Sequence, residues 1–239
     1  MEQCNPTWTS VPQVAFQIYD QLRKLADVTL VTHARNRDGI SSRIEEEEIV
    51  YIEESKLVRD YYGVVAKMTS RGNVNWPLQH ALGYPVYAEF DRKVKESFSE
   101  DVAEGKYDAV MGMTPVLPRY PYSFAGFSDT VPFILGPVNG GLPFPDGFSE
   151  VAAKESAGFN FLRRFCSLIP GYNRTYESSD LIFAGSRYTY QWIEENLKVD
   201  SERLHLLAEN GVTESYFENE LKNSPAEKAL QLLFVGRLV

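Results

Sequence analysis

The feature that most constrains this chain is a repeated alternation. Short apolar runs rich in β-branched residues are separated by segments with helical periodicity. The runs are Asp27-Val28-Thr29-Leu30-Val31-Thr32, Ile49-Val50-Tyr51-Ile52, Tyr107 to Met113, Val131 to Leu135, Leu181-Ile182-Phe183-Ala184, Leu204-His205-Leu206-Leu207 and Leu232-Leu233-Phe234-Val235. A strand covered on both faces reads as a continuous apolar run, and strands alternating with helices build a parallel sheet. The expected fold class is therefore α/β: a Rossmann-like, mostly parallel sheet with helices on both faces.

The helices follow from apolar spacing. Ser10, placed to cap, and Pro12 in the first turn predict a helix from Val11 to about Ala26, with Val14, Ile18, Leu22 and Leu25 on one face. Lys56 to about Thr69 should bury Leu57, Val58, Tyr61, Tyr62 and Val65. Tyr84 to about Glu104 carries Tyr87, Phe90, Val94 and Phe98 on one stripe, which reads as core. Further helices are expected from Ser149, as cap, to about Leu168, and from Arg187 to about Leu197 after the Gly185-Ser186 turn. The first clear element is thus a helix. The strand that should precede it is missing from this chain or reduced to a stub within residues 1–5.

Phe133-Ile134-Leu135 runs into Gly136-Pro137-Val138-Asn139-Gly140-Gly141. Gly-Pro and Asn-Gly-Gly should stop the strand and open a glycine-rich loop. Such a loop either merely ties strand to helix or lets a ligand approach the backbone. In parallel α/β sheets ligands sit outside the carboxyl ends of the strands. Thr114-Pro115, Gly136 to Gly141, Gly185-Ser186 and Asn210-Gly211 all fall there, which favours the binding reading.

Composition closes off other classes. The 239 residues allow one large domain or two small ones, and 44% are hydrophobic. A formal net charge of -9 argues against nucleic acid as the main partner. No apolar run approaches the roughly 18 residues a membrane span needs, and MEQCNPTWTS has neither the basic start nor the apolar core of a secretory signal. Cys4 and Cys166 lack metal or redox spacing and read as two thiols in a reducing cytoplasm. Asn173-Arg174-Thr175 is then a chance sequon. Glu45 to Glu48 reads as a solvated run, because adjacent carboxylates point different ways in a regular element. No metal and no cofactor are expected.

At the far end, Leu232 to Leu238 (LLFVGRL) resembles the motif that opens the second domain of retaining glycosyltransferases of family four. Glu209-Asn210-Gly211-Val212 with Phe217 is similar to a segment just upstream of it in those enzymes, and Gly136 to Gly141 resembles a loop in their first domain. The resemblance implies GT-B architecture, two Rossmann-like domains facing across a cleft, with this chain as the acceptor-side half. On that basis residues 1–218 would be the acceptor-binding domain, 219–229 a linker, and 230–239 the first strand of a donor-binding domain. Gly236 and Arg237 would face the donor diphosphate. Ser10, Thr114, Asn139, Gly140, Gly141 and Asn210 would line the acceptor side. The implied partners are a nucleotide-sugar donor and a glycan or lipid-linked acceptor, in glycan biosynthesis in the cytoplasm, with peripheral contact to the inner face of a membrane left open through Leu162-Arg163-Arg164-Phe165 and Arg174.

Two departures from the family pattern stand out. A Gly-Gly pair common after the first strand is replaced by Trp8, Thr9 and Ser10. A histidine common after the strand at Tyr107 to Met113 is replaced by Met113 and Thr114, so no catalytic side chain is nominated. Of the three histidines, His33 follows a strand end and is placed to face a cleft, His205 reads as structural inside an apolar strand, and His80 stays unassigned. The chain by itself, lacking the second domain's lysine and glutamates, should not catalyse transfer. The rival readings are a non-catalytic sugar- or nucleotide-binding module and a sugar-nucleotide epimerase on the same scaffold.

Overall fold

The computed structural model describes residues 1–45, 49–69, 76–114, 120–140, 147 and 166–211. The chain divides into a unit of Met1–Glu209 and a second of Asn210–Val239. The expected linker at 219–229, the strand Leu232 to Val235 and most of the helix from Ser149 lie outside the described residues, as does most of Glu45 to Glu48.

The first unit is α/β and Rossmann-like. Its strands are β1 (Leu30–His33), β2 (Ile49–Ile52), β3 (Val110–Gly112), β4 (Phe133–Val138), β5 (Leu181–Ala184) and β6 (Leu204–Leu206). Its helices are α1 (Val11–Leu22), α2 (Arg37–Ser41), α3 (Lys56–Thr69), α4 (Trp76–Leu82), α5 (Tyr84–Ala103), α6 (Tyr172–Glu177) and α7 (Arg187–Asn196). β1 pairs with β2, and β3 to β6 pair in chain order; every pairing is parallel. In β4, successive residues Leu135, Gly136, Pro137 and Val138 are all buried. Because neighbours on a strand point to opposite faces, that sheet is covered on both.

Residues 1–5 bridge the two groups of strands. The Met1 amine donates to Val31 O at 2.7 Å, and His33 N donates to Glu2 O at 3.4 Å. On the other side Gln3 N donates to Thr114 Oγ1 at 3.0 Å, just beyond β3. Glu2, Cys4 and Asn5 are buried. The short segment therefore lies in the place of the expected preceding strand, with Cys4 packed in one core with Ala15, Tyr19, Leu30, Ile40 and Met113. The second core joins β4, β5 and β6 to Val102 of α5, Tyr172 and Tyr176 of α6 and Ile193 of α7.

Several local expectations change. Ser10 does not cap α1 with its side chain: it sits at φ 69, and only its carbonyl receives Gln13 N and Val14 N, both at 3.1 Å. The cause is the tight exit from the buried segment, where Asn5 Oδ1 accepts from Thr7 N at 3.0 Å and Thr7 Oγ1 at 2.8 Å. α1 ends at Leu22 and buries Ala15 and Tyr19, leaving Leu25 83% exposed beyond the helix. α3 buries Val58, Val65 and Thr69, a seven-then-four spacing that turns Leu57 outward at 79% exposure. His205 is exposed at the end strand β6, so it is not a core residue.

β4 does not stop at Gly136. It continues through a cis Gly136–Pro137 bond to Val138, and its register with β5 shifts between Leu135 and Val138. Glycine is required there for two reasons. Its φ is 113, and an added Cβ would lie 2.4 Å from the Phe183 carbonyl oxygen of β5. Gly136→Ala should therefore force β4 and β5 apart and cost on the order of 3 kcal/mol, read as a lower urea midpoint. An unchanged midpoint would refute this account of the strand pair.

Candidate functional site

The carboxyl ends of the strands carry two polar groups. The first is at β1 and β2. His33 closes β1 with its side chain 3% exposed, and its Nε2 lies 3.1 Å from Glu54 Oε1, just past β2. Arg35, in the turn after β1, pairs with Glu2 and lies 3.4 Å from the same Glu54 oxygen. Asn36 Nδ2 donates to Glu2 O at 3.0 Å and to Thr32 Oγ1 at 2.9 Å. Phe90 of α5 stacks on the His33 ring with centroids 5.8 Å apart.

Burial sets the charge states here. Desolvation pushes His33 down to about 3, and the Arg35 guanidinium adds to it. The Glu89 carboxylate acts the other way but does not offset the burial. Glu2 is pushed up by burial, which Arg35 offsets only in part. On Glu89, burial raises the carboxyl, but hydrogen bonds from Lys93 and from Ser55 outweigh it and hold it down to about 2. His33 is thus a neutral, enclosed imidazole that stacks and orients. It does not face open solvent as its place at a strand end suggested.

The second group is centred on Asn139, directly after β4. Its Oδ1 accepts from Gly140 N at 2.9 Å, Ser186 Oγ at 2.9 Å and Thr189 Oγ1 at 3.0 Å. Its Nδ2 donates to Glu209 Oε1 at 2.9 Å. Ser186 also caps α7 by accepting from Thr189 N at 3.2 Å. Gly185 makes room: a Cβ there would sit 2.8 Å from Asn139 Cβ. One amide therefore locks the end of β4 to the β5–α7 turn and to the chain after β6. Gly140, at φ 132, spends its N–H on Asn139 Oδ1 and Thr189 Oγ1, so that N–H is not presented to an anion.

The expected site residues separate accordingly. Asn139 and Gly140 come together with Ser186, Thr189 and Glu209, a cluster whose last three members were not singled out as site residues. Asn-Gly beside a Ser-x-x-Thr helix start was the available signal. Thr114, two residues beyond β3, is 1% exposed and its Oγ1 accepts from Gln3 N of the bridging segment. It does not line an open surface. Ser10 is exposed in the turn before α1, and Asn210 is exposed. Gly141, Gly236 and Arg237 lie outside the described residues, as do Leu162 to Phe165 and the His80 side chain. Arg174 donates to Gly126 O at 2.9 Å. Glu2, Arg35 and Glu54 were missed: they converge only through the bridging segment, which leaves no spacing to read.

Among the described residues no group of three or more His, Cys, Asp and Glu is arranged to hold a metal ion. Among them, too, no helix is long and apolar enough to cross a membrane. No family model, no curated protein and no solved structure matches the chain.

Two predictions arise. His33 is 6.5 when unfolded and about 3 when folded, so between those values the unfolded chain binds more protons. Its contribution to stability is present at neutral pH and is lost as pH falls below 6.5. Urea midpoints taken from pH 7 to pH 5 should fall more steeply for the wild type than for His33→Asn, by up to about 1.4 kcal/mol per pH unit; parallel curves would show that His33 titrates normally. Asn139→Leu should remove a hydrogen bond from each of four polar partners and cost on the order of 3 kcal/mol in urea unfolding. A loss within 0.5 kcal/mol, the ordinary range for a surface change, would mean that the cluster is not a clamp.

Proposed function

We propose that this chain is the acceptor-side half of a cytoplasmic retaining glycosyltransferase of GT-B type, which takes its sugar from a nucleotide-diphosphate donor. The observation that supports it most is the rigid Asn139-Gly140 corner. It lies at the carboxyl end of an interior strand of a parallel sheet, where α/β proteins bind ligands, and in the segment that resembles the family's first-domain loop. Asn139 Oδ1 accepts three bonds from within the chain and Nδ2 donates to Glu209, so its role is to position the corner. The acceptor would meet the half-buried Gly140. The donor diphosphate would be met elsewhere, at Gly236 and Arg237, where a guanidinium suits a phosphate.

In this reading catalysis is mainly positioning and electrostatic stabilisation of the departing diphosphate. The enclosed His33 has no part in proton transfer. The acceptor is a glycan or a lipid-linked glycan presented at the inner face of a membrane.

The intact protein should release nucleoside diphosphate from one member of a panel of nucleotide sugars when a saccharide acceptor is present, and the product's anomeric configuration by NMR should match the donor's. Gly140→Leu should raise the acceptor KM or lower transfer at least tenfold while donor hydrolysis is kept, with Gly140→Ala as the control for backbone strain. Absence of diphosphate release with every donor would refute the enzyme. Full transfer with normal acceptor KM in Gly140→Leu would remove this corner from the acceptor site.

A further inference from the structure

A concave site lies apart from the strand ends. A cleft of about 320 Å³ opens between α5, the turn at 121–125 and the start of α6. It shares no residue with the Asn139 group. Its size is at the low end of small-molecule pockets, enough for one ring and a substituent. Tyr84, half-buried, and Tyr87, buried, form part of its wall, and both pack on Tyr120 with centroids 5.5 and 4.9 Å away. Asp91 is fixed in the cleft by Ser123, which donates from N at 3.1 Å and from Oγ. Each carboxylate oxygen keeps a second lone pair that can take a ligand hydroxyl.

The charge of the cleft opposes that of the chain. Arg92, Lys95 and Arg174 line it against the single carboxylate of Asp91, leaving two positive charges in a protein whose formal net charge is -9. Among the described residues each cation is held only lightly. Arg92 pairs with Glu96 on the exposed face of α5, Lys95 lies 5.2 Å from the Phe127 ring centre, and Arg174 donates to one carbonyl. Exposed pairs of this kind contribute little and exchange readily. Two guanidinium groups and an ammonium around one cleft match a doubly charged tetrahedral anion.

We propose that this cleft binds a small soluble phosphate monoester of a sugar. The phosphate is taken by Arg92, Lys95 and Arg174, the ring lies against Tyr84, and a hydroxyl donates to Asp91. The site does not depend on the transferase reading.

Calorimetric titration of the full chain with glucose 6-phosphate, inorganic phosphate and glucose tests it. Glucose 6-phosphate should bind, inorganic phosphate at least tenfold more weakly, and glucose not measurably. Arg92→Ala and Arg174→Ala should each weaken glucose 6-phosphate about tenfold, as loss of a charge-assisted contact does, and added salt should weaken it further. Both arginines are exposed, so the fold should persist, which the urea midpoint checks. Lys106→Ala, an exposed cation outside the cleft, should change nothing. The proposal is overturned by no binding of glucose 6-phosphate, by equal affinity for inorganic phosphate, or by unchanged affinity in the double arginine variant.

Discussion

The first unit depends on the backbone of residues 1–5. β1 and β2 form one parallel pair and β3 to β6 another sheet, and among the described residues no strand ladder joins them. The join is made by a few hydrogen bonds from Met1, Glu2 and Gln3, to Val31 and His33 on one side and Thr114 on the other. A buried backbone needs its polar groups satisfied, and this segment does so with two neighbours at once. Its cost appears at the exit, where Asn5 takes up Thr7 and Ser10 adopts φ 69. That positive φ for a non-glycine is uncommon, and it follows from starting α1 so soon after a buried segment.

The same insertion explains the chemistry at the first strand end. Glu2 is carried into the interior, where a carboxylate is costly unless paired. Arg35 is the partner of that carboxylate and Asn36 donates to the Glu2 backbone carbonyl, while Arg35 also lies 3.4 Å from the Glu54 oxygen that is 3.1 Å from His33 Nε2. A histidine that spacing placed at a cleft is thereby enclosed and kept neutral. Its charge state follows from burial and from Arg35, and its backbone is met by a residue thirty-one positions earlier, Glu2, which no local pattern reveals.

The strands and the longer helices were legible because they rest on local periodicity, whereas the short α2, α4 and α6 were not expected. Ile49–Ile52, Lys56–Thr69 and Leu181–Ala184 occur with the expected bounds. What failed was the direction of side chains and the ends of elements. Leu57 and Leu25 are apolar yet exposed, since a helix face is chosen by what packs against it, not by its own composition. Gly136-Pro137 reads as a stop from turn chemistry, but β5 offers Gly136 a backbone neighbour and Val138 a pairing partner, so the strand goes on. At the site, Asn139 and Gly140 were visible as a turn. That Ser186, Thr189 and Glu209 join them was not, because they meet Asn139 across 47 to 70 residues of chain.

The Asn139 cluster also bears on what a glycine-rich loop at a strand end can do. Glycines suit anion binding when their N–H groups are turned outward and unpaired. Here the Gly140 N–H faces inward to Asn139 and Thr189, and the Ser186 hydroxyl that starts α7 is taken by the same amide. Those donors are spent on holding the corner still. A rigid corner built this way can shape a surface for a neutral, hydroxyl-rich partner, and charge recognition must come from side chains elsewhere. The arginines and lysine around Asp91 are such side chains, gathered on a chain that is otherwise strongly acidic. On the two proposals made above, shape and charge would be handled by separate parts of the first unit.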